Sequence, residues 1–324
     1  MKVFIIGAGF TKAIFEHAPL NAQLLPTLAK RPNASASCKL IQRYDITDIE
    51  IALTRVDADI ALCNTSGDPK DYLSELRHEV EQEIVAYFDS DVFSATSERV
   101  DSLTWLCQFL DDVVSDGDIA LGLNYDCFFE GALDCRKKWT PNGGYGPLKH
   151  MLTVSDTRSP VEVLKIHGST SFRIATDLGN DKIQLVNLAI NEKYFPRSGK
   201  YRNFDFGGDD ARTYLIAPSY VKRPTFEISR LMLRSAEVVA QADTLIIIGC
   251  GLRPEDMFLY LLLTAFTDGC SPTERKIVVL DPEAEHLIFK IKSYLTVDDS
   301  FCMVPIRGKL QQDSVAQLLQ TLGR

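Results

Sequence analysis

Residues 2–12, KVFIIGAGFTK, decide the fold of this chain. Their four apolar residues, two of them isoleucine, are typical of a strand buried in a parallel sheet, and a turn with two glycines follows directly. A helical pattern begins at about Lys12. A strand, a glycine turn and a helix in this order direct backbone N–H groups and a helix N-terminus at an anion, usually a phosphate. The stretch therefore predicts a nucleotide-binding opening to an α/β sheet.

The opening stretch departs from the dinucleotide fingerprint of dehydrogenases. Lys12 stands where that fingerprint has its third glycine, and no clear strand ending in Asp or Glu follows about twenty residues later. A dehydrogenase is therefore disfavoured, and a tight strand–helix turn that binds nothing is the alternative to a phosphate site.

The bulk composition is that of a soluble globular protein. The chain has 324 residues, of which 45% are hydrophobic and 24% charged, and a net charge of −9 argues against a general attraction to nucleic acid or anionic membranes. No apolar run is long enough for a signal peptide or a membrane span. The eight cysteines include no CxxC pair, which disfavours a zinc ribbon and fits reduced thiols in the cytoplasm. We therefore expect a cytoplasmic protein without a metal site.

Between the first and second strong strand signals lies a run of helical patterns. Apolar residues at alternating spacings of three and four predict a helix over 45–63 that Asp45 can cap, and further helices begin at Asp68 and at about Ser97. Residues 27–44 are polar, contain Pro32 and predict a loop. We expect a helical insertion at about 45–114 within a single domain, residues 1–324.

The remaining sequence alternates between strand and helix patterns. Alternation and turn residues predict a β-hairpin over 171–186. Further strand signals lie at 118–123, 161–169, 212–218, 243–248, 276–281 and 303–306. Such alternation predicts an α/β fold with a doubly wound, parallel, Rossmann-like sheet.

Polar and small residues collect where these strands end, which is where open α/β sheets bind ligands. They are Asn124–Asp126, His167–Ser169, Gly249–Arg253 and Asp281. Each has an alternative explanation, since His167 can be a structural histidine and Asn124 and Asp126 can form turns that cap the next helix. Their combination favours a binding site.

Four segments, in this order along the chain, resemble the sirtuin family: Gly7–Thr11, Asn124–Asp126, Lys165–Ser169 and Gly249–Leu252. The resemblance covers about 1–17 and 118–290. Residues 13–26 and 252–256 are similar to the divergent bacterial sirtuin-like proteins of antiphage defence rather than to protein deacetylases.

The resemblance implies that the chain binds NAD as a substrate and, as an NAD hydrolase, cleaves it to nicotinamide and ADP-ribose. It assigns catalysis to Asn124, which would orient water or ribose hydroxyls, and to His167, which would accept a proton. It assigns cofactor binding to Gly7, Ala8, Gly9, Phe10, Thr11, Asp126, Gly168, Ser169, Gly249, Cys250, Gly251 and Asp281.

Two departures from the family bear on the reaction. Leu123 replaces the glutamine that precedes the asparagine in deacetylases, and the four cysteines of the sirtuin zinc module are absent. Both disfavour the first alternative, an NAD-dependent protein deacylase. The second alternative is a non-catalytic sensor of NAD or ADP-ribose.

An enzyme that destroys NAD must be restrained. Restraint usually means oligomerisation or a partner that opens the site, so we expect a homo-oligomer. The resemblance to defence proteins implies a separately encoded activating partner, such as an ATPase or a protein that senses nucleic acid. The helices at 45–114 are the expected place for such control.

Overall fold

The computed structural model describes residues 1–63, 68–141, 143–148, 158–177, 180–188, 193–198, 212–217, 219, 224–254, 256–268, 275–295 and 302–324. The strands in these ranges are β1 (Lys2–Ile6), β2 (Ile119–Gly122), β3 (Glu162–Leu164), β4 (Gly168–Asp177), β5 (Asn180–Leu188), β6 (Arg212–Leu215), β7 (Thr244–Ile248), β8 (Lys276–Asp281) and β9 (Cys302–Arg307). The α-helices are α1 (Ala8–Ile14), α2 (Asn21–Ala29), α3 (Ser35–Tyr44), α4 (Ile49–Leu62), α5 (Asp68–Phe88), α6 (Ser97–Ser102), α7 (Thr104–Gln108), α8 (Phe128–Cys135), α9 (Phe226–Gln241), α10 (Met257–Thr267), α11 (Ala284–Leu295) and α12 (Gln312–Thr321).

A six-stranded parallel sheet forms the centre of the molecule, with the strand order β3-β2-β1-β7-β8-β9. When only the strands of this sheet are counted along the chain, the order is 3-2-1-4-5-6, which is that of the doubly wound Rossmann fold. The predicted fold class is confirmed. The strand order reverses between β1 and β7, because the chain moves outward to β2 and β3 on one side and to β8 and β9 on the other.

The central strands are apolar because helices cover both faces of the sheet. Val3 to Ile6 in β1 and Leu245 to Ile248 in β7 are no more than 1% exposed. Isoleucine and valine suit this position because branching at Cβ fits an extended backbone that packs on both faces. The run of apolar residues without polar alternation is therefore the direct consequence of two-sided burial.

A second, antiparallel sheet has the strand order β5-β4-β6. The hairpin predicted over 171–186 is confirmed by the pairing of β4 with β5, and its turn at 178–179 lies outside the described residues. The predicted strand 161–169 is interrupted: β3 ends at Leu164 and β4 begins at Gly168 in the other sheet. Gly168 has φ +78°, and a Cβ there would lie 2.6 Å from Leu215 Cα, so a glycine is needed for this change of direction.

Helices α2 to α5 form a helical subdomain with its own apolar core. Buried residues of this core include Leu40 in α3, Leu53 in α4 and Val80 in α5. Tyr125 and Leu215, which follow β2 and end β6, belong to the same core, so the subdomain packs directly on the strand-bearing part. Helices α6 and α7 and the π-helical turn Phe109–Val113 pack instead on the core of the central sheet.

Several local predictions in this region were wrong. Residues 27–44 contain the end of α2 and all of α3, not a loop. The amides of Ala36 and Ser37 at the start of α3 donate to the Glu83 carboxylate of α5, and a cap this distant in the chain has no local sequence pattern.

The caps and helix bounds also differ from expectation. Asp48, not Asp45, caps α4, accepting from the amides of Glu50 and Ile51, while Asp45 ends α3 with φ +52°. The helix expected from Ser97 is broken at Leu103, and α1 begins at Ala8 rather than at Lys12.

Candidate functional site

A cleft of about 290 Å³ lies at the carboxyl ends of β1 and β7, where the strand order reverses. Open α/β sheets bind ligands at this position. On the sheet side it is lined by Gly7, Ala8, Leu123, Asn124, Tyr125, His167, Ile216, Gly249, Cys250, Gly251, Leu252, Arg253, Asp256 and Leu259. On the helical-subdomain side it is lined by Leu20, Asn21, Ala22 and Glu50.

Three glycines allow the turns after β1 and β7 to touch. A Cβ on Gly7 would lie 2.5 Å from Gly249 O, and one on Gly9 would lie 2.6 Å from Gly249 Cα. Gly249 itself has φ +57°. Any side chain at these positions would force the two turns apart, so the glycines are explained by chain packing as well as by access for a ligand.

The amides of the first turn are largely used within the protein. Gly7 N donates to Ile248 O at 3.0 Å, Gly9 N to Gly249 O at 2.8 Å, and Phe10 N to Gly7 O at 3.0 Å. These three N–H groups do not offer the phosphate cradle that the sequence suggested. The turn brings its backbone close to the cleft, but it does not surround the cleft with free N–H donors.

Asn124 connects the end of β2 to the first turn. Its Nδ2 donates to Gly7 O at 3.1 Å and to Thr11 Oγ1 at 2.7 Å. Thr11 Oγ1 in turn donates to Asp126 Oδ2 at 2.9 Å, and Asp126 Oδ1 accepts from Phe128 N at 3.0 Å. Because Nδ2 holds the turn, Oδ1 is the atom of Asn124 that can accept a hydrogen bond from a water or a ribose hydroxyl.

His167 lies in the cleft and is paired with a carboxylate. Its Nε2 is 3.2 Å from Asp256 Oδ2, and both side chains are largely buried. Asp256 occupies the N-cap position of α10, yet its side chain makes no capping hydrogen bond. The carboxylate instead orients the imidazole and would stabilise it when protonated, which suits a proton acceptor.

Two other polar groups of the cleft stay neutral. Burial raises the pKa of the Cys250 thiol to about 12, so this cysteine is not a thiolate nucleophile at neutral pH. Burial also raises the pKa of Tyr125 well above its usual value, and its hydroxyl donates to Ile216 O at 2.7 Å. Both groups shape the wall of the cleft.

A buried ion pair lies next to the segments that follow β2 and β3. Lys165 Nζ lies 3.3 Å from Glu130 Oε1 and donates to Asp126 O at 2.6 Å. Burial alone lowers the pKa of Lys165, but Glu130 and other neighbours outweigh it and leave that pKa raised, so the ammonium is charged. Burial raises the pKa of Glu130, an effect that Lys165 opposes.

The predicted site residues divide into two groups. Gly7, Ala8, Asn124, His167, Gly249, Cys250 and Gly251 line the cleft. The residues that do not line it are Gly9, Phe10, Thr11, Asp126, Gly168, Ser169 and Asp281.

The second group has structural contacts. Phe10 and Ser169 are fully buried, Phe10 against Phe109 and Phe129. Thr11 lines a small adjoining cavity of about 50 Å³. Asp281 Oδ1 accepts from Glu283 N ahead of α11 at 2.9 Å, and burial raises the pKa of its carboxyl.

Four polar residues that complete the cleft were not predicted as site residues. Arg253 and Asp256 lie in the segment 252–256 that resembles sirtuin-like proteins but had no assigned role, and neither Glu50 nor the neutral Asn21 had one. Arg253 pairs with Glu50, two residues about two hundred positions apart in the chain, so no local pattern could reveal them.

Comparison with known proteins adds no relative. Neither a scan against protein-family models nor a search of curated proteins gives a match. None of the helices in the described ranges combines the length and apolar character needed to cross a lipid bilayer. The chemistry of the cleft therefore carries the functional proposal.

Proposed function

We propose that this protein hydrolyses NAD to nicotinamide and ADP-ribose, as an effector of the sirtuin-like type found in bacterial antiphage defence. One observation carries the proposal. His167, held by Asp256, and Asn124 line the same cleft as Gly7 and Gly249, at the point where the strand order of a Rossmann-like sheet reverses. The cleft therefore combines a proton acceptor and a neutral amide with the position at which Rossmann-like sheets bind dinucleotides.

The reaction needs little covalent chemistry from the protein. The bond between nicotinamide N1 and ribose C1′ breaks, and its electron pair neutralises the positive charge on the pyridinium nitrogen. Water then adds its oxygen to the oxocarbenium-like C1′ and loses a proton. His167 accepts that proton while the Asp256 carboxylate stabilises the imidazolium, and Asn124 Oδ1 orients the water or a ribose hydroxyl.

The decisive test is chromatography of NAD after incubation with the purified wild type and with His167→Ala and Asn124→Ala. We expect nicotinamide release to fall at least about 100-fold in each variant, because both act on the reacting atoms. Asp256→Asn should fall by about 10- to 100-fold, since it removes the charge that orients the imidazole. Far-UV circular dichroism controls for folding, and full turnover in both alanine variants would refute the proposal.

The same assay separates the two alternatives. Nicotinamide release that requires an added acylated peptide would identify a deacylase. Tight ADP-ribose binding without turnover, with and without a candidate ATPase or nucleic-acid-sensing partner, would identify a sensor. Size-exclusion chromatography with light scattering on the same samples tests the proposed homo-oligomer.

A further inference from the structure

Arg253 is the cationic residue of the cleft lining. Among the described residues that line the cleft, His167 is the other side chain that can carry a positive charge. Glu50 and Asp256 are the acidic residues of this lining. A dinucleotide brings two negative charges on its pyrophosphate. Arg253 is therefore the side chain best suited to neutralise them.

Arg253 is already held by two carboxylates. Its Nη2 lies 3.1 Å from Asp48 Oδ2, and its Nε lies 3.0 Å from Glu50 Oε2. The guanidinium comes from the loop after β7, whereas both carboxylates lie at the N-terminus of α4 in the helical subdomain. These ion pairs therefore join the two parts of the molecule at the cleft.

The two carboxylates are fixed by further contacts. Asp48 Oδ1 accepts from Glu50 N at 2.9 Å as the cap of α4, and Glu50 Oε1 accepts from Asn21 Nδ2 at 2.5 Å at the start of α2. Asp48 accepts a hydrogen bond from Nη2, and the Glu50 carboxylate lies beside Nε. Because carboxylates and phosphates bind a guanidinium through the same N–H donors, an anion that binds this edge of Arg253 must displace them.

We propose that Arg253 is the phosphate-binding residue of this cleft and that Asp48 and Glu50 compete with the ligand for it. Binding of an anionic dinucleotide exchanges the carboxylates for phosphate oxygens and loosens α4 from the loop after β7. The inference rests on the proposed function only for the identity of this dinucleotide as NAD. The exchange itself applies to any dinucleotide whose phosphates reach Arg253.

The test measures binding rather than hydrolysis, using ADP-ribose as the probe in isothermal titration calorimetry. Asp48→Asn keeps a side-chain oxygen for the α4 cap, and Glu50→Gln keeps the acceptor for Asn21, so the double variant removes charge with little change in shape. We expect it to bind ADP-ribose about tenfold more tightly than the wild type, and Arg253→Gln to bind about tenfold more weakly.

A mutant cycle separates competition from simple repulsion between the ligand and nearby carboxylates. If Asp48 and Glu50 act by occupying Arg253, their neutralisation gives no gain in an Arg253→Gln background. If they act by repulsion, the tenfold gain persists there, and the proposal is overturned. Absence of ADP-ribose binding in the wild type and in the double variant would also overturn it.

Two controls and one structural readout complete the experiment. Glu79→Gln removes one negative charge from the exposed pair with Lys39 on the helical subdomain and should leave the affinity unchanged. Adenosine, which lacks phosphate, should bind the wild type and the double variant alike. On ADP-ribose binding, amide hydrogen exchange in the first turn of α4 should accelerate, and slower or unchanged exchange there would contradict the coupling.

The outcome is independent of catalysis. If ADP-ribose shows the expected cycle but NAD is not cleaved, the inference holds and the proposed hydrolase activity fails. If NAD is cleaved and the cycle is absent, the hydrolase proposal holds and the role of Arg253 fails.

Discussion

The glycines at the two central strand ends show how one residue type can serve packing and ligand access together. A Cβ on Gly7 would meet Gly249 O, and a Cβ on Gly249 would meet Gly9 Cα at 2.6 Å, yet Gly7 and Gly249 also line the cleft. Gly251 lines the same cleft, but apart from its chain neighbours no atom of the described residues lies within 4 Å of its ideal Cβ position. Close packing therefore requires glycine at positions 7 and 249 but not at position 251, although all three residues line the cleft.

This contrast gives a prediction at the residue scale. Gly7→Ala should lower the free energy of unfolding by about 1–3 kcal/mol, because its Cβ would collide with the backbone oxygen of Gly249. Gly251→Ala, in the same cleft, should be neutral or stabilise by about 0.4–1 kcal/mol through the unfolded state. Urea denaturation measures both, and equal stability of the two variants would contradict the packing explanation.

At the scale of elements, the Lys165–Glu130 pair joins three segments. Lys165 follows β3, Glu130 lies in α8, and the carbonyl of Asp126 belongs to the loop that carries Asn124. Both charged side chains are no more than 2% exposed, so each depends on the other for compensation. The pair thereby holds the candidate catalytic loop against α8.

Removing both charges of this pair should cost less unfolding free energy than the two single removals added together. Glu130→Gln and Lys165→Met should each cost about 3–5 kcal/mol in unfolding free energy, because each leaves a buried charge or its partners uncompensated. The double variant should cost less than the sum of the two.

Urea denaturation followed by the fluorescence of Trp105 and Trp139, which both pack in the core of the central sheet, provides the measurement. Asp111→Asn, which breaks a surface pair with Arg136, is the control and should cost less than about 1 kcal/mol. A double variant that loses the full sum of the single losses would show that Lys165 and Glu130 stabilise the protein independently.

At the scale of the whole molecule, the helical subdomain and the sheets share buried surface. Tyr125 and Leu215 from the strand-bearing part lie in the apolar core of α2 to α5. Arg253 adds ion pairs across the same boundary. We therefore expect the subdomain and the central sheet to unfold together.

A buried substitution in the subdomain tests this cooperativity. Leu53→Ala in α4 should destabilise by about 2–5 kcal/mol, because Leu53 is fully buried, and should leave a single unfolding transition. Leu62→Ala, on the same helix but 74% exposed, should change stability by less than about 0.5 kcal/mol. The fluorescence of Trp105 and Trp139 reports the core of the central sheet, and far-UV circular dichroism reports the helices. Separate transitions in the two signals would refute cooperative unfolding.

Much of the fold followed from local sequence. Two-sided burial makes parallel strands continuously apolar, so the apolar runs at 2–6 and 244–248 predict buried strands. The glycines that follow each run predict the turns. Helix α3 did not, because its first amides are satisfied by Glu83 from α5. A helix start completed by a distant side chain has no local signature.

The sequence by itself determined the α/β class, the buried strands and the glycine, asparagine and histidine residues that end them, since these depend on periodicity and backbone conformation. Only the tertiary structure decided which of these ends meet in one cleft. It separated Asn124 and His167 from the buried Asp126 and Ser169, and it brought Asp256 to His167. It also set Asp48 and Glu50 against Arg253, because ion pairs depend on distance in space and leave no pattern along the chain.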